Sequence, residues 1–373
     1  MIPATRTFSR SSFVRYGLLT LFSSIAASAC NSVKAKNESK PKTVKVSRLK
    51  TLSKGFNLAH WRLHNLSDGY YTAADLQQYK NLGLTYTRLP VLLSAFFNHE
   101  NPSVLKTDFL AKLDAIIQMH IKTGLGITVC PFDPPSELYD DPIVQAKFVI
   151  FFQAFAAHLS STDPEKVFLE VMNEPVAATS QNWNNIQVQL IAAIRSVALN
   201  HTIIATSNNW SSVHKIPLTQ VVEDNNVVYN FHFYDPFVFT HQGATWSWRA
   251  LRFMKNIPYP ATPALIAPIL NTIQDAEAKK NIEYYGQGNW NRDKLVSIIS
   301  VAANWAKDNG VPIICNEFGA IPWTAPRKSL LLYLRDVREV LEFYEIGWGQ
   351  WFDMDISDRT LVQALGLTPL SRS

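Results

Sequence analysis

A (β/α)8 barrel is the fold this sequence predicts, on three observations. From residue 53 onward, eight short apolar runs alternate with stretches of helical periodicity. The alternation extends over about 320 residues, the size of one large barrel and more than most open sheets need. No glycine-rich fingerprint of the G-x-G-x-x-G or P-loop kind follows the first run, which counts against a nucleotide-binding doubly wound sheet.

The strands expected, in order, are KGFNLA (54–59), LTYTRLP (84–90), GLGITVC (124–130), KVFLEVMNE (166–174), HTIIATS (201–207), VVYNFHFY (227–234), VPIICNEFG (311–319) and IGWGQWF (346–352). Between the second and third, Phe109, Leu110, Leu113, Ile116, Ile117 and Ile121 recur at helical spacing, with Thr107 expected as N-cap and Gly124 as the stop. A second helix is expected to open at Asn291 and close at Gly310, directly before the seventh strand. The sixth strand is followed by about fifty-five residues before that helix, far beyond the usual connection. This insertion carries Pro236, Pro258, Pro260, Pro263 and Pro268 with several aromatics, and is expected to wall a cleft.

The formal charge of +5 misleads about partners. Ten of the 35 Lys/Arg and one of the 30 Asp/Glu lie in residues 1–50, leaving 25 basic and 29 acidic residues beyond. The main body is thus mildly acidic, and nucleic acid is not an expected partner. Arg6, Arg10 and Arg15 precede the apolar run YGLLTLFSSIAASA and Cys30, which predicts an export signal over 1–29. AASAC also resembles a bacterial lipoprotein cleavage box, with Ala27 where that box usually has Leu. A lipid-anchored Cys30 and plain secretion are the two alternatives. Residues 30–50 lack an apolar face and are expected to be a basic flexible linker, with the catalytic domain over 51–373. Cys130 and Cys315 are expected as buried free thiols, with a disulfide between them as the alternative.

Chemistry is expected at the C-terminal ends of barrel strands. Those ends carry Arg88, Cys130 to Asp133, Asn173-Glu174, Asn208 to Trp210, His232 to Tyr234, Asn316-Glu317 and Trp351. Two glutamates stand out, Glu174 after the fourth strand and Glu317 after the seventh. Paired carboxylates across a cleft suit glycosidic-bond cleavage, one at the sugar carbon and one protonating the departing oxygen. They must differ in proton affinity, and Arg88 is the cation expected to hold one ionised. Pro175 is expected to keep Glu174 extended. Glu170, four residues deeper on the same face, is expected to partner a buried base or water. Trp210 and Trp246 are candidates for stacking on sugar rings, as is Trp61, whereas Trp305 is expected in core. His60 and His64 have helical metal-ligand spacing without a third ligand, so no metal site is expected there.

PIICNEFG, VFLEVMNEP and Arg88-Leu89-Pro90 together resemble the cellulase-type glycoside hydrolase family five, and HFYDPFVFTHQGATW (232–246) is similar to its sixth-strand segment. The resemblance covers about Gly55 to Trp351. It implies a retaining β-glycosidase on a (β/α)8 barrel, an endo-β-1,4-glucanase in the first instance. A mannanase, xylanase or β-1,3-glucanase would share the same residues. It implies Glu174 as general acid and base, Glu317 as nucleophile, and Asn173 on the sugar 2-hydroxyl. Arg88, His232 and Tyr234 would position the glutamates, and Trp351 would floor the subsite beside the cut. No metal or organic cofactor is implied, and a monomer acting on polysaccharide is expected. One departure is Cys130-Pro131-Phe132-Asp133, where many members place a histidine. It motivates the alternative of a non-catalytic carbohydrate-binding lipoprotein on the same barrel.

Overall fold

The computed structural model describes residues 44–59, 71–351 and 356–370. Eight parallel strands close into a barrel in chain order. They are β1 (Lys54–Asn57), β2 (Tyr86–Leu92), β3 (Gly126–Phe132), β4 (Val167–Glu170), β5 (Ile203–Thr206), β6 (Val227–Phe233), β7 (Ile313–Phe318) and β8 (Gly347–Gln350); six lie inside their expected runs, and β2 and β3 each continue two residues beyond them. The expected strand and helix alternation holds except after β5, where a short 3-10 helix, Val213–Leu218, replaces a full outer helix.

The strands are near-continuous apolar sequence because both faces are covered. Outward residues such as Leu89, Ile127, Val129 and Leu169 pack under the outer helices. These include α2 (Ala73–Leu82), α3 (Thr107–Thr123), α4 (Pro142–Leu159), α5 (Ser180–Val197), α8 (Arg292–Asn309) and α9 (Arg327–Phe343). Helix α3 starts at Thr107 itself, so its N-cap is Lys106 rather than the expected Thr107, while Gly124 ends it with φ +82°. Helix α8 has the expected boundaries: Asn291 accepts from the Lys294 N–H, and Gly310 ends the helix with φ +64°. Helix α4 is long and apolar enough to span a bilayer by composition alone. Phe148, Phe151, Phe152 and Phe155 explain that composition, since they are buried against the barrel.

The inward side chains fall in layers two residues apart along each strand. The lower layer is apolar: Tyr86, Phe168, Ile204, Val228 and Ile314 pack with Val44 and Leu52. The next is polar: Arg88, Thr128, Glu170, Thr206, Asn230 and Asn316 are all buried. Polarity at the centre of a barrel costs stability unless each group is partnered, so this layer marks the approach to a site.

The expected linker ends earlier than residue 50. Val46–Thr51 form α1, and Arg48 is buried because it ties three strand bases together. Its guanidinium donates to Glu165 (2.9 Å), the Asn200 carbonyl (2.6 Å) and Thr202 (3.0 Å). The domain thus includes α1, which caps the lower layer with Leu52. The expected export signal, Cys30, His60, Trp61 and His64 lie outside the described residues.

The insertion after β6 is mostly helical, with α6 (Pro263–Leu270) and α7 (Ala276–Gln287) preceding α8. It docks on the loop after β7: Ile321 N–H donates to Thr240 O (2.8 Å), and Asn256 N–H to Thr324 O (3.1 Å). A short C-terminal helix, α10 (Arg359–Ala364), follows β8.

Candidate active site

Glu317 reaches the barrel mouth because β7 is irregular. Asn230 of β6 pairs with Ile314, yet His232 pairs with Glu317, so β7 carries an extra residue in that interval. In a regular strand Asn316 and Glu317 would face opposite ways. The bulge lets Asn316 stay in the polar layer while Glu317 turns over it. Glu174 arrives by a different strain. Pro175 disfavours right-handed helical dihedrals, and Glu174 takes φ +41° rather than the expected extended conformation. A non-glycine residue there costs about 1 kcal/mol or more, which the surrounding loop must offset. That loop is clamped by Asn208, whose side chain donates to Ala177 O (2.8 Å) and accepts from Ala177 N–H (3.0 Å).

The two carboxylates face each other. One oxygen from each of Glu174 and Glu317, with a ring nitrogen of His232, lie within 4.8 Å of one another. His232 Nδ1 sits 2.9 Å from Glu174 Oε1 and 3.4 Å from Glu317 Oε2. Tyr234 donates its hydroxyl to Glu317 Oε2 (2.9 Å), and Arg88 Nη1 donates to Glu317 Oε1. The remaining Arg88 donors are used as well. Nη1 also reaches Asn57 Oδ1 (3.1 Å), Nη2 reaches Asn173 Oδ1 (2.9 Å), and Nε and Nη2 each bond Glu170 at 2.8 Å.

Glu317 is the deeper carboxylate, its side chain 5% exposed against 29% for Glu174. Burial pushes the Glu317 carboxyl above its ordinary range, against the pull of His232, Arg88 and the Tyr234 hydroxyl, and the Glu174 charge adds to the rise. At Glu174 burial also raises, but His232 and then Arg88 outweigh it and hold that carboxyl below its ordinary range. The contact expected between Arg88 and Glu317 is therefore present, while the expected ionisation is opposed by burial. The Arg88 guanidinium stays charged. Burial alone would lower its proton affinity, but Cys130, Glu170 and Glu317 together raise it well above its usual value.

A divalent cation accepts donor sets like Glu174, His232 and Glu317. Here both Glu317 oxygens already accept a hydrogen bond, one from a full positive charge. That is a carboxylate equipped to act without a metal.

Trp351 follows β8 and is half-buried, with its ring 6.2 Å from that of Phe132 and 17° from parallel. Phe132 occupies the departure at the end of β3. It lies buried beside Trp351 with the Arg88 guanidinium 5.2 Å over its face. The sequence offered no sign that this phenylalanine would lie against Trp351, since Phe in an apolar run reads as core. Asn57 was also missed. Buried at the end of β1, it accepts from Arg88 and donates to Asn316 O (2.9 Å) and Gln350 O (3.1 Å). His241 stacks on Phe237 (3.8 Å) and meets the Tyr234 ring edge-on, and burial brings it down to about 4. Trp210 and Trp246 are 61% and 64% exposed, in the loops after β5 and β6. Trp210 lies in a left-handed turn with Asn209 and Ser211, and its backbone N–H donates to Pro175 O (3.2 Å), next to Glu174. Trp305 is not in the site; it packs edge-on against Tyr229 at 5.1 Å.

Residues 49–352 match the cellulase family, glycosyl hydrolase family 5. The chain belongs to this family. Endoglucanase 3 of Fibrobacter succinogenes is 28% identical over 332 residues, which cover 81% of this chain and 49% of the relative. Endoglucanase C of Acetivibrio thermocellus is 27% identical over 298 residues, 76% of this chain and 84% of the relative. The chain thus spans about half of the first of these proteins and most of the second. Among solved structures, endoglucanase Cel5A of Thermotoga maritima superposes with a TM-score of 0.71 at 22% identity, covering 85% of this chain and 98% of that one. A cellulose synthase subunit of Clostridioides difficile does so with a TM-score of 0.69 at 22% identity, over 84% and 99%. At such identities these structures establish the barrel. The family match covers the strands that carry both glutamates.

Proposed function

We propose that this family 5 glycosyl hydrolase is a retaining endo-β-1,4-glucanase. The observation that carries the reading is the approach of Glu174 and Glu317 to within 4.8 Å, oxygen to oxygen. Retaining glycosidases hold their carboxyl groups about 5–5.5 Å apart, whereas inverting ones need roughly 6.5–9.5 Å to admit a water. In the first step a Glu317 oxygen attacks the anomeric carbon, the glycosidic C–O bond breaks, and the Glu174 proton passes to the leaving oxygen. In the second, water attacks the same carbon, Glu174 takes its proton, and the bond to Glu317 breaks. Arg88 and Tyr234 steady the Glu317 carboxylate when it departs, and Asn173 lies beside Arg88 to meet the 2-hydroxyl.

Barrel order supports a direction for the chain of sugars. Trp351 after β8 and Phe132 at the end of β3 lie on one side of the line from Glu174 to Glu317. Trp210 and Trp246 follow β5 and β6, on the other. The sugar under attack rests on Trp351, and Trp210, adjoining the acid Glu174, serves the leaving group. Relatives named endoglucanase support β-1,4-glucan as substrate.

Replacement of Glu317 by alanine is the test. Turnover of carboxymethyl cellulose should fall by at least about 10⁴-fold with the circular dichroism spectrum unchanged, the loss expected when a covalent nucleophile is removed. Residual activity within tenfold of the wild type would rule out this assignment. We also propose export, with Cys30 as an acyl anchor. Labelled palmitate should enter the full chain and not Cys30→Ser; equal labelling would remove the anchor.

A further inference from the structure

The polar layer beneath the two carboxylates contains a third acid, which the reaction as written does not use. Glu170 is completely buried with Arg88, and neither side chain is accessible to solvent. Its Oε2 accepts from Arg88 Nε (2.8 Å) and Asn316 Nδ2 (2.9 Å), and its Oε1 accepts from Arg88 Nη2 (2.8 Å). The pair is therefore a planar fork on a carboxylate, the geometry that fixes a guanidinium most firmly. With Nε and one Nη2 hydrogen pinned, the remaining donors have only one direction each. Nη1 meets Glu317 and Asn57, and Nη2 meets Asn173 and, at 3.1 Å, the Cys130 sulfur.

We propose that Glu170 is a positioning residue for glycosidic cleavage, acting through Arg88 in two ways. It holds the guanidinium plane so that one edge serves Glu317 and the other Asn173. It also shares the guanidinium charge, so Glu317 remains basic enough to attack. An unshared Arg88 would hold Glu317 as a tighter ion pair and a poorer nucleophile. Asn316, directly before Glu317, ties the same carboxylate to the strand that carries the nucleophile. Its N–H donates to Asn230 Oδ1 (3.0 Å), so β6 is bound into the same arrangement. The inference rests on Glu317 being the nucleophile.

Other ionisable groups face this cluster and enter any pH dependence: Tyr86, Cys130, Glu174, His232, Tyr234 and Cys315. The test must therefore compare variants that change Glu170 alone. The probes are an aryl β-cellobioside and its 2-deoxy-2-fluoro analogue. In the wild type the fluoro sugar should label Glu317; if it labels another residue, the proposed function and this inference both fall. Given that label, Glu170→Gln should lower kcat by about 10- to 100-fold with KM changed by less than about threefold. The limb of kcat/KM set by Glu317 should move to lower pH, because a negative charge near Glu317 has gone. Glu170→Asp keeps the charge and loses the two-pronged fit, so kcat should fall while the limb stays. An unmoved limb in a folded Glu170→Gln enzyme with wild-type kcat overturns the inference alone. Should Glu170→Gln fail to fold, wild-type kcat in Glu170→Asp overturns it equally.

Discussion

Glu174 and Glu317 differ most in how much water each has left to lose. Glu317 is already buried and accepts hydrogen bonds from Arg88 and Tyr234. Glu174 is still 29% exposed, so a bound sugar strips water from it and disfavours its charged form. The low proton affinity that His232 and Arg88 give Glu174 should rise when sugar binds, which moves the proton to the residue that must donate it. The account predicts that the limb set by Glu174 lies at higher pH in kcat than in kcat/KM, since the second reports the free enzyme. Coincident limbs would mean that substrate does not retune the acid. Both glutamates were legible because each ends an apolar strand run, where a carboxylate has no bland explanation. Phe132 and Asn57 were not, because a phenylalanine in a strand and an asparagine at its end are ordinary. Only the barrel's closure brings them to Trp351 and Arg88.

At the scale of elements, the register irregularity in β7 matters more than any helix, since it lets consecutive residues serve two layers. No pattern in PIICNEFG announces a bulge, because the run is apolar on both faces. Helix α1 escaped notice for a related reason. Its sequence, VSRLKT, lacks enough apolar residues to show periodicity, and it folds by tertiary contacts to Arg48. Arg48→Ala should cost about 2–3 kcal/mol, seen as a lowered midpoint in urea with kcat per folded molecule unchanged. An unchanged midpoint would show that α1 is not part of the folding unit. The partner Glu165 is brought down to about 2, because Lys45, Ser47 and Arg48 outweigh the effect of burial. Its contribution is thus complete above the ordinary carboxylate range and vanishes only as pH falls toward 2.

For the molecule as a whole, acid sensitivity should come first from histidines. Burial brings His120, His201 and His241 each to about 4. An unfolded histidine binds its proton near 6.5, so below that pH the unfolded chain takes up protons that the folded one refuses. Stability should be full above about pH 6.5, decline as pH falls toward 4, and lose about 3 kcal/mol at most for each histidine. A melting midpoint constant from pH 7 to 4 would contradict this. The barrel itself was readable along the whole chain because its strands are buried on both faces and its helices on one, so two periodicities alternate. The most direct test of the paired-carboxylate account is stereochemical. Proton NMR of the first product released from a β-glucan oligosaccharide should show the β-anomer before mutarotation. An α-anomer appearing first would contradict attack by Glu317 and the account built on it.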